Sequence, residues 1–312
     1  MRFASSFFIS YASEMPDKTF TLPSFAKINW FLRILGKRND GFHELCTVFQ
    51  TVSLHDRLTF SESDELNLTC SDENIPTDDE NLIIKAAKLL SEKYDIKKGA
   101  KIHLEKQIPS PGGLGGGSSN AAIALLGLAK LWQIEIESEK LTEIGKQLGS
   151  DVPFFLHGGT AFGTGRGTEI SPLKDLEEKY ILIVTPDIAV STAAAFARIN
   201  AAHLTNIASK SILQICQSAA QTLDLRQAEL VNDFEKTVFE NEFEIERVKE
   251  KLLAYGSVFA LMSGSGASVF GVFDSESRLI YASDKLKLEQ NWRVFFVRTI
   301  SRHEYQTLVK PA

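Results

Sequence analysis

The 312 residues of the chain suffice for one large or two medium domains, because single cores stop growing at roughly 250 to 300 residues, and two are expected. Hydrophobic residues make up 44% and charged residues 24%, an ordinary globular balance that excludes a largely disordered chain. The net charge is −6 with Lys and Arg scattered, which excludes the basic footprint of a nucleic-acid binder, and no apolar run reaches the roughly 18 residues of a membrane span.

Cys46, Cys70 and Cys216 are far apart and show no CxxC spacing, which argues against a disulfide framework or a zinc site and fits a reducing, cytoplasmic setting. Residues 1–20 carry the apolar patch Phe7-Phe8-Ile9, too short for a signal segment, and read as an extension outside the chemistry. From Thr21, the runs Phe25 to Leu35 and Thr47 to Leu54, separated by a Gly36 to Gly41 turn, predict an antiparallel hairpin. An acidic stretch, Ser61 to Glu80, leads into a predicted helix over Asn81 to Tyr94, with Asn81 or Asp79 as its cap.

A short strand is expected over Lys101 to Ile108, then a loop with five glycines in six positions, then an almost wholly apolar helix over Ala121 to Trp132. Leu141 to Leu148 predicts a further helix, and Gly158 to Gly167 a glycine-rich hairpin. Tyr180 to Val184 is a buried-strand run, so the domain boundary is placed just before it, giving 21–177 and 178–312. Helical stretches follow over Ser191 to Gln221 and Glu242 to Tyr255, with strands at Val258 to Met262, Val269 to Phe273 and Trp292 to Arg298. No regular βαβ repeat appears, so the class is α+β.

The strongest chemical signal is Pro109 to Asn120, PSPGGLGGGSSN, running straight into the apolar helix. Glycines let backbone N–H groups approach an anion closely, and the helix N-terminus adds unpaired donors and a positive dipole end. This is a phosphate cradle with Ser118 and Ser119 at its helix cap. It is not a Walker A loop, having no Lys after the glycines, nor a dinucleotide fingerprint. The alternative, a flexible linker, does not open directly into a wholly apolar helix.

That loop resembles the one carried by GHMP kinases, and Gly113 to Ala122 matches the longer version found in the 4-diphosphocytidyl-2-C-methyl-D-erythritol kinases among them. Residues 25–50, 149–167 and 262–270 resemble three further blocks of that family, in order. The resemblance implies two domains, an N-terminal one like ribosomal protein S5 and a ferredoxin-like C-terminal one, with the site between them. It also implies transfer of the γ-phosphate of ATP to a hydroxyl of a small cytidyl acceptor, with Mg2+ required by the charge of ATP and no dedicated metal ligand in the chain. A monomer or homodimer is expected. Another GHMP kinase and a catalytically silent nucleotide-binding regulator are the alternatives, and the Asp-Gly-Phe-His block and the retained Lys27 and Asp151 weigh against them.

Carried onto this chain, the resemblance makes Lys27 and Asp151 the catalytic pair. Alternation along FAKIN places Lys27 beside Asn29, where an unpaired ammonium on an apolar face is costly. It makes Pro109, Gly112, Gly113, Leu114, Gly115, Gly116, Gly117, Ser118 and Ser119 the ATP loop, with Asn81 and Leu82 at the adenine. Asn81 reads equally as a helix cap, and Lys106 as either a nucleotide contact or a solvated charge. For the acceptor it implies Asn29, Asp40, Phe42, His43, Thr192 and Phe196, and a closing turn of Ser263, Gly264, Ser265 and Gly266. Phe42 stands where the family has Tyr, and Phe196 reads alternatively as core. Asn232 to Glu235 resembles another family element to which no chemistry attaches.

Overall fold

The computed structural model of the chain describes residues 19–199 and 230–310. The N-terminal extension and the expected helical run beyond Ile199 lie almost wholly outside the described residues. The first unit is built on a six-stranded sheet whose spine is a long hairpin. Strand β1 (Phe20–Lys37) pairs antiparallel with β2 (His43–Ser63), from Phe20 opposite Phe60 to Lys37 opposite His43. The far edge of β2 is divided: β5 (Thr160–Thr164) takes residues 47–50 and β4 (Gly99–Glu105) takes 57–63. Strand β3 (Leu66–Cys70) runs parallel to β4, and β6 (Glu169–Pro172) lies beside β5.

Helices α1 (Leu82–Lys93), α2 (Gly116–Leu131), α3 (Ser138–Leu148) and α4 (Val152–His157) cover this sheet. Helix α2 is buried nearly all round, between α1, α4 and the hairpin, which is why its sequence shows no polar face. It crosses β2 at Gly127, where a Cβ would stand 2.4 Å from the Phe60 ring. Helix α1 is amphipathic instead, burying Ile83, Ile84, Ala86, Ala87 and Leu90.

The second unit is a four-stranded antiparallel sheet in the order β10-β7-β9-β8, formed by β7 (Ile181–Pro186), β8 (Phe259–Met262), β9 (Val269–Val272) and β10 (Trp292–Val297). Its helices are α5 (Thr192–Arg198), α6 (Phe234–Phe239), α7 (Phe243–Ala254) and α8 (Glu276–Leu286). The two sheets share a core in which Ala26, Ile28 and Trp30 of β1 meet Ile183 and Phe270, with Trp30 edge-on to Phe270 at 5.4 Å.

The α+β class stands. Strand β7 begins three residues beyond the expected boundary at 178. The end of the chain, however, returns to the first unit: Ile300 N donates to Thr51 O at 2.9 Å, and α9 (Arg302–Val309) buries Tyr305 against Phe25 in the core beneath α2.

Candidate active site

Lys27 is the buried charge that the site is built around. Its ammonium donates to Asn29 Oδ1 and to Gly113 O, each at 2.8 Å, and Asp151 Oδ2 lies 3.7 Å away. The expected placement of Lys27 and Asn29 on one face of β1 is therefore met. Burial pulls the Lys27 ammonium below the ordinary lysine range, and the Asp151 carboxylate opposes that shift. Asp151 stands at the cap position of α4, its side chain 30% exposed toward the cavity while that of Lys27 is 4% exposed.

The glycine loop passes directly over this pair. Lys27 N donates to Leu114 O at 3.0 Å, and Gly115, the residue that caps α2, has φ +70°. The helix thus starts at Gly116, and the two serines expected at its cap lie inside its first turn. Ser118 lines the cavity, whereas Ser119 is buried and accepts from Ser24 Oγ at 2.8 Å. The glycines also differ in what they leave room for. A Cβ on Gly115 would press on Phe155 and on the Lys27 stem, one on Gly116 would meet Ile108 and Lys106, and one on Gly117 would make only an ordinary contact with Leu82, at 3.8 Å.

Behind the loop lies a carboxylate that the sequence reading did not single out. Asp56 is fully buried and accepts from Gln107 N at 2.7 Å, Ile108 N at 2.8 Å, Lys106 Nζ at 2.9 Å and Asn120 Nδ2 at 2.9 Å. It ties the segment entering the cradle to Asn120, in the second turn of α2. Lys106 is consequently a buried, paired ammonium, not a solvated one, and it stands behind the cradle wall. Asn81 serves as the α1 cap, accepting from Ile83 N at 2.9 Å and donating to Pro76 O, while its neighbour Leu82 reaches the cavity.

From the cradle a cavity of about 850 Å³ runs over Lys27 and Asp151 to an aromatic end. There the His43 and Phe196 rings stack on each other, centroids 5.1 Å apart at 20°, and Phe196 also meets Phe234 edge-on at 4.8 Å. Phe196 thus packs against the core at Phe234 and also lines the cavity. Burial, then the Lys37 charge, hold the His43 imidazole below its ordinary range, so it is neutral at neutral pH. Phe42 is half exposed, and its ring carries the Arg166 guanidinium at 4.4 Å. Arg166 and Lys37 are cavity-lining cations that sequence reasoning missed; the Gly165-Arg166-Gly167 turn was the available signal for the first. Asp40 lies outside the cavity, accepting from Phe42 N at 3.2 Å and pairing with Arg38 in the turn.

The closing turn comes from the second unit. Gly264 N donates to Asn29 Oδ1 at 2.9 Å, Ser263 Oγ to Gly113 O at 2.9 Å, and the Ser265 and Thr192 hydroxyls meet at 2.8 Å. Gly264 and Ser265 line the cavity with Thr192, and Ser263 is buried beneath them. A glycine-rich helix start, a buried ammonium beside a carboxylate, and an aromatic end in one cleft are the parts of a small-molecule phosphotransferase.

The chain is similar to known proteins along most of its length. Residues 81–159 match the pattern described as the GHMP kinases N terminal domain, and residues 210–289 that described as GHMP kinases C terminal. A 4-diphosphocytidyl-2-C-methyl-D-erythritol kinase of Chloroherpeton thalassium is 41% identical over 262 residues, covering 83% of this chain and 90% of that one. One of Caldicellulosiruptor bescii is 38% identical over 271 residues, covering 86% and 94%. A crystal structure of 4-(cytidine 5'-diphospho)-2C-methyl-D-erythritol kinase is 30% identical with a TM-score of 0.72, covering 90% of this chain and 99% of that one. A homoserine kinase from Cytophaga hutchinsonii, at 18% identity and a TM-score of 0.68, shares the fold. The class is thus the GHMP kinases, and within it the chain belongs to the 4-diphosphocytidyl-2-C-methyl-D-erythritol kinase family.

Proposed function

We propose that the chain transfers the γ-phosphate of ATP to the C2 hydroxyl of 4-diphosphocytidyl-2-C-methyl-D-erythritol, the step its family performs in the methylerythritol phosphate route to isoprenoid precursors. The observation that carries the reading is the Lys27–Asp151 pair at 3.7 Å, set where the glycine cradle and the aromatic end of the cavity meet. ATP phosphates lie along Gly112 to Ser118, drawn by backbone N–H groups and the N-terminus of α2. The cytosine lies at the aromatic end of the cavity, which Phe42, His43 and Phe196 line and where aromatic rings can stack on a base.

Asp151 orients the acceptor hydroxyl and takes its proton as the hydroxyl oxygen bonds to the γ-phosphorus and the bridging oxygen leaves with ADP. The Lys27 ammonium keeps Asp151 ionised and offsets the charge that develops on the transferring group. No group of three or more acidic, His or Cys side chains that could hold a metal occurs among the described residues. The charge of the triphosphate calls for a divalent cation, so magnesium enters on the nucleotide, as MgATP. Among the described residues, no helix is long and apolar enough to cross a membrane.

An ADP-release assay with the cytidyl acceptor, homoserine, mevalonate and galactose tests the reading. Turnover is expected with the first alone. Turnover with one of the others reassigns the acceptor, and none with any of the four makes the chain a nucleotide binder.

A further inference from the structure

The segment Asn232 to Glu235 supplies no polar group to the cavity, yet it fastens the two units together at the site. Asn232 is 4% exposed, and all of its carboxamide is engaged. Its Nδ2 donates to Met262 O at 2.7 Å and to Gly264 O at 2.8 Å, and its Oδ1 accepts from Phe234 N at 3.0 Å. On one side the segment lies along β1: Leu32 N donates to Val231 O at 2.8 Å, Asp233 N to Leu32 O at 2.9 Å, and Ile34 N to Asp233 Oδ2 at 2.7 Å. On the other, Glu235 accepts from Met262 N at 2.9 Å and pairs with Lys249 at 2.6 Å.

The loop so held, residues 263–266, reaches back to the catalytic amine by two bonds. Gly264 N donates to Asn29 Oδ1 and Ser263 Oγ donates to Gly113 O, both at 2.9 Å. Those are the same two oxygens that receive the Lys27 ammonium at 2.8 Å each. The loop and the amine thus share both acceptors, and whatever fixes the loop fixes the direction in which the remaining ammonium proton points. Asn232 is the side chain that grips this loop, by the carbonyls on either side of Ser263.

We infer that Asn232 is a positioning residue for phosphoryl transfer, setting through the 263–266 loop the two acceptors that aim Lys27 at the reacting groups. The inference rests on the proposed role of Lys27. Asn232→Asp keeps the shape of the side chain and turns an oxygen toward two carbonyl oxygens, so the loop loses its grip without a cavity being made. Small displacements of positioned groups cost up to about 100-fold in rate, so kcat should fall roughly 10- to 100-fold while ATP affinity changes little.

The test is steady-state turnover of the full chain with ATP and the cytidyl acceptor across pH, with thermal melting and ATP calorimetry, for Asn232→Asp, Ser263→Ala and Lys27→Ala. Support is a folded Asn232→Asp protein with reduced kcat and a displaced alkaline limb, and a loss of the same sign in Ser263→Ala, which severs the loop from Gly113 O and leaves Asn232 in place. A lower melting temperature with unchanged kcat makes Asn232 merely structural and overturns the inference. If Asn232→Asp fails to fold, an unchanged kcat and alkaline limb in Ser263→Ala overturn it as well. Activity retained in Lys27→Ala sinks the catalytic reading itself, whereas activity lost there and kept in both other variants sinks only the role of Asn232.

Discussion

The Lys27 ammonium is held closer to two neutral oxygens, Asn29 Oδ1 and Gly113 O at 2.8 Å, than to its charged neighbour Asp151 at 3.7 Å. A tight ion pair would have spent both charges on each other. Here the neutral acceptors fix the amine, and the Asp151 carboxylate stays partly exposed at the cavity.

The pH dependence follows from the same arrangement. Burial lowers the proton affinity of Lys27, so it loses its charge at a lower pH than a free lysine does. The charged form is the active one, so kcat should fall with rising pH beginning below the ordinary lysine range. A pH profile of Lys27→Arg, whose guanidinium stays protonated, should lose that alkaline limb while turning over more slowly. An identical limb in both proteins would assign it to another group.

The cradle glycines should separate into two kinds. Gly117→Val places its side chain at the cavity with no contact tighter than Leu82 at 3.8 Å, so ATP affinity should drop in a protein that melts near the parent. Gly115→Val meets Phe155 at 2.9 Å from a φ of +70°. A left-handed non-glycine residue costs roughly 1 to 2 kcal/mol before any clash, so this variant should lose thermal stability first. Calorimetry beside a melting curve distinguishes them, and equal ATP affinity in Gly117→Val and the parent would remove Gly117 from the phosphate path.

How much of this was legible depends on how far apart in the chain the cooperating residues lie. The cradle, the apolar helix behind it and the hairpin carrying Lys27 were readable because each is a local pattern of glycine, period or alternation. The start of α2 was placed at Ala121, and the structure puts it at Gly116, because the left-handed Gly115 turns the chain into the helix earlier than the serines suggested. Helix α9 went unread although Ser301 and Glu304 have capping spacing, and Ser301 Oγ accepts from Glu304 N at 3.2 Å. Helix α8 exposes Ile280 and Tyr281, which blurs its period. Asp56 with Lys106, and Asn29 with Gly264, pair across 50 and 235 residues, and no local pattern announces such partners.

The aromatic end of the cavity should govern the acceptor and not ATP. Phe196→Ala removes one stacking face, and stacking on a base is worth roughly 1 to 3 kcal/mol, so acceptor KM should rise about 5- to 100-fold with ATP KM unchanged. Acidification should act in the same direction. His43 is neutral at neutral pH because its proton affinity is lowered, so charging it requires a pH below the ordinary histidine range. Acceptor KM should therefore be flat near neutrality and rise only on the acid side, and this rise should vanish in His43→Phe. An acceptor KM unaltered in Phe196→Ala would return that ring wholly to the core.

Asp151→Asn is the sharpest test of the chemistry. The amide keeps the size and part of the hydrogen bonding of the carboxylate but cannot accept the hydroxyl proton. Because Asp151 offers no side-chain cap to α4 and is partly exposed, the substitution should leave the fold intact. Both substrates should still bind, since the cradle and the aromatic end of the cavity are untouched. General-base assistance is typically worth about 10²- to 10⁴-fold, so kcat should fall by that order with modest changes in KM. Lys27→Ala should lower kcat comparably, and because the two groups act as a unit the double variant should be little slower than the slower single one. Steady-state kinetics on the four proteins, with calorimetry for each substrate, decides the matter: turnover of Asp151→Asn within about tenfold of the parent, with both substrates bound normally, means the proton leaves by another route.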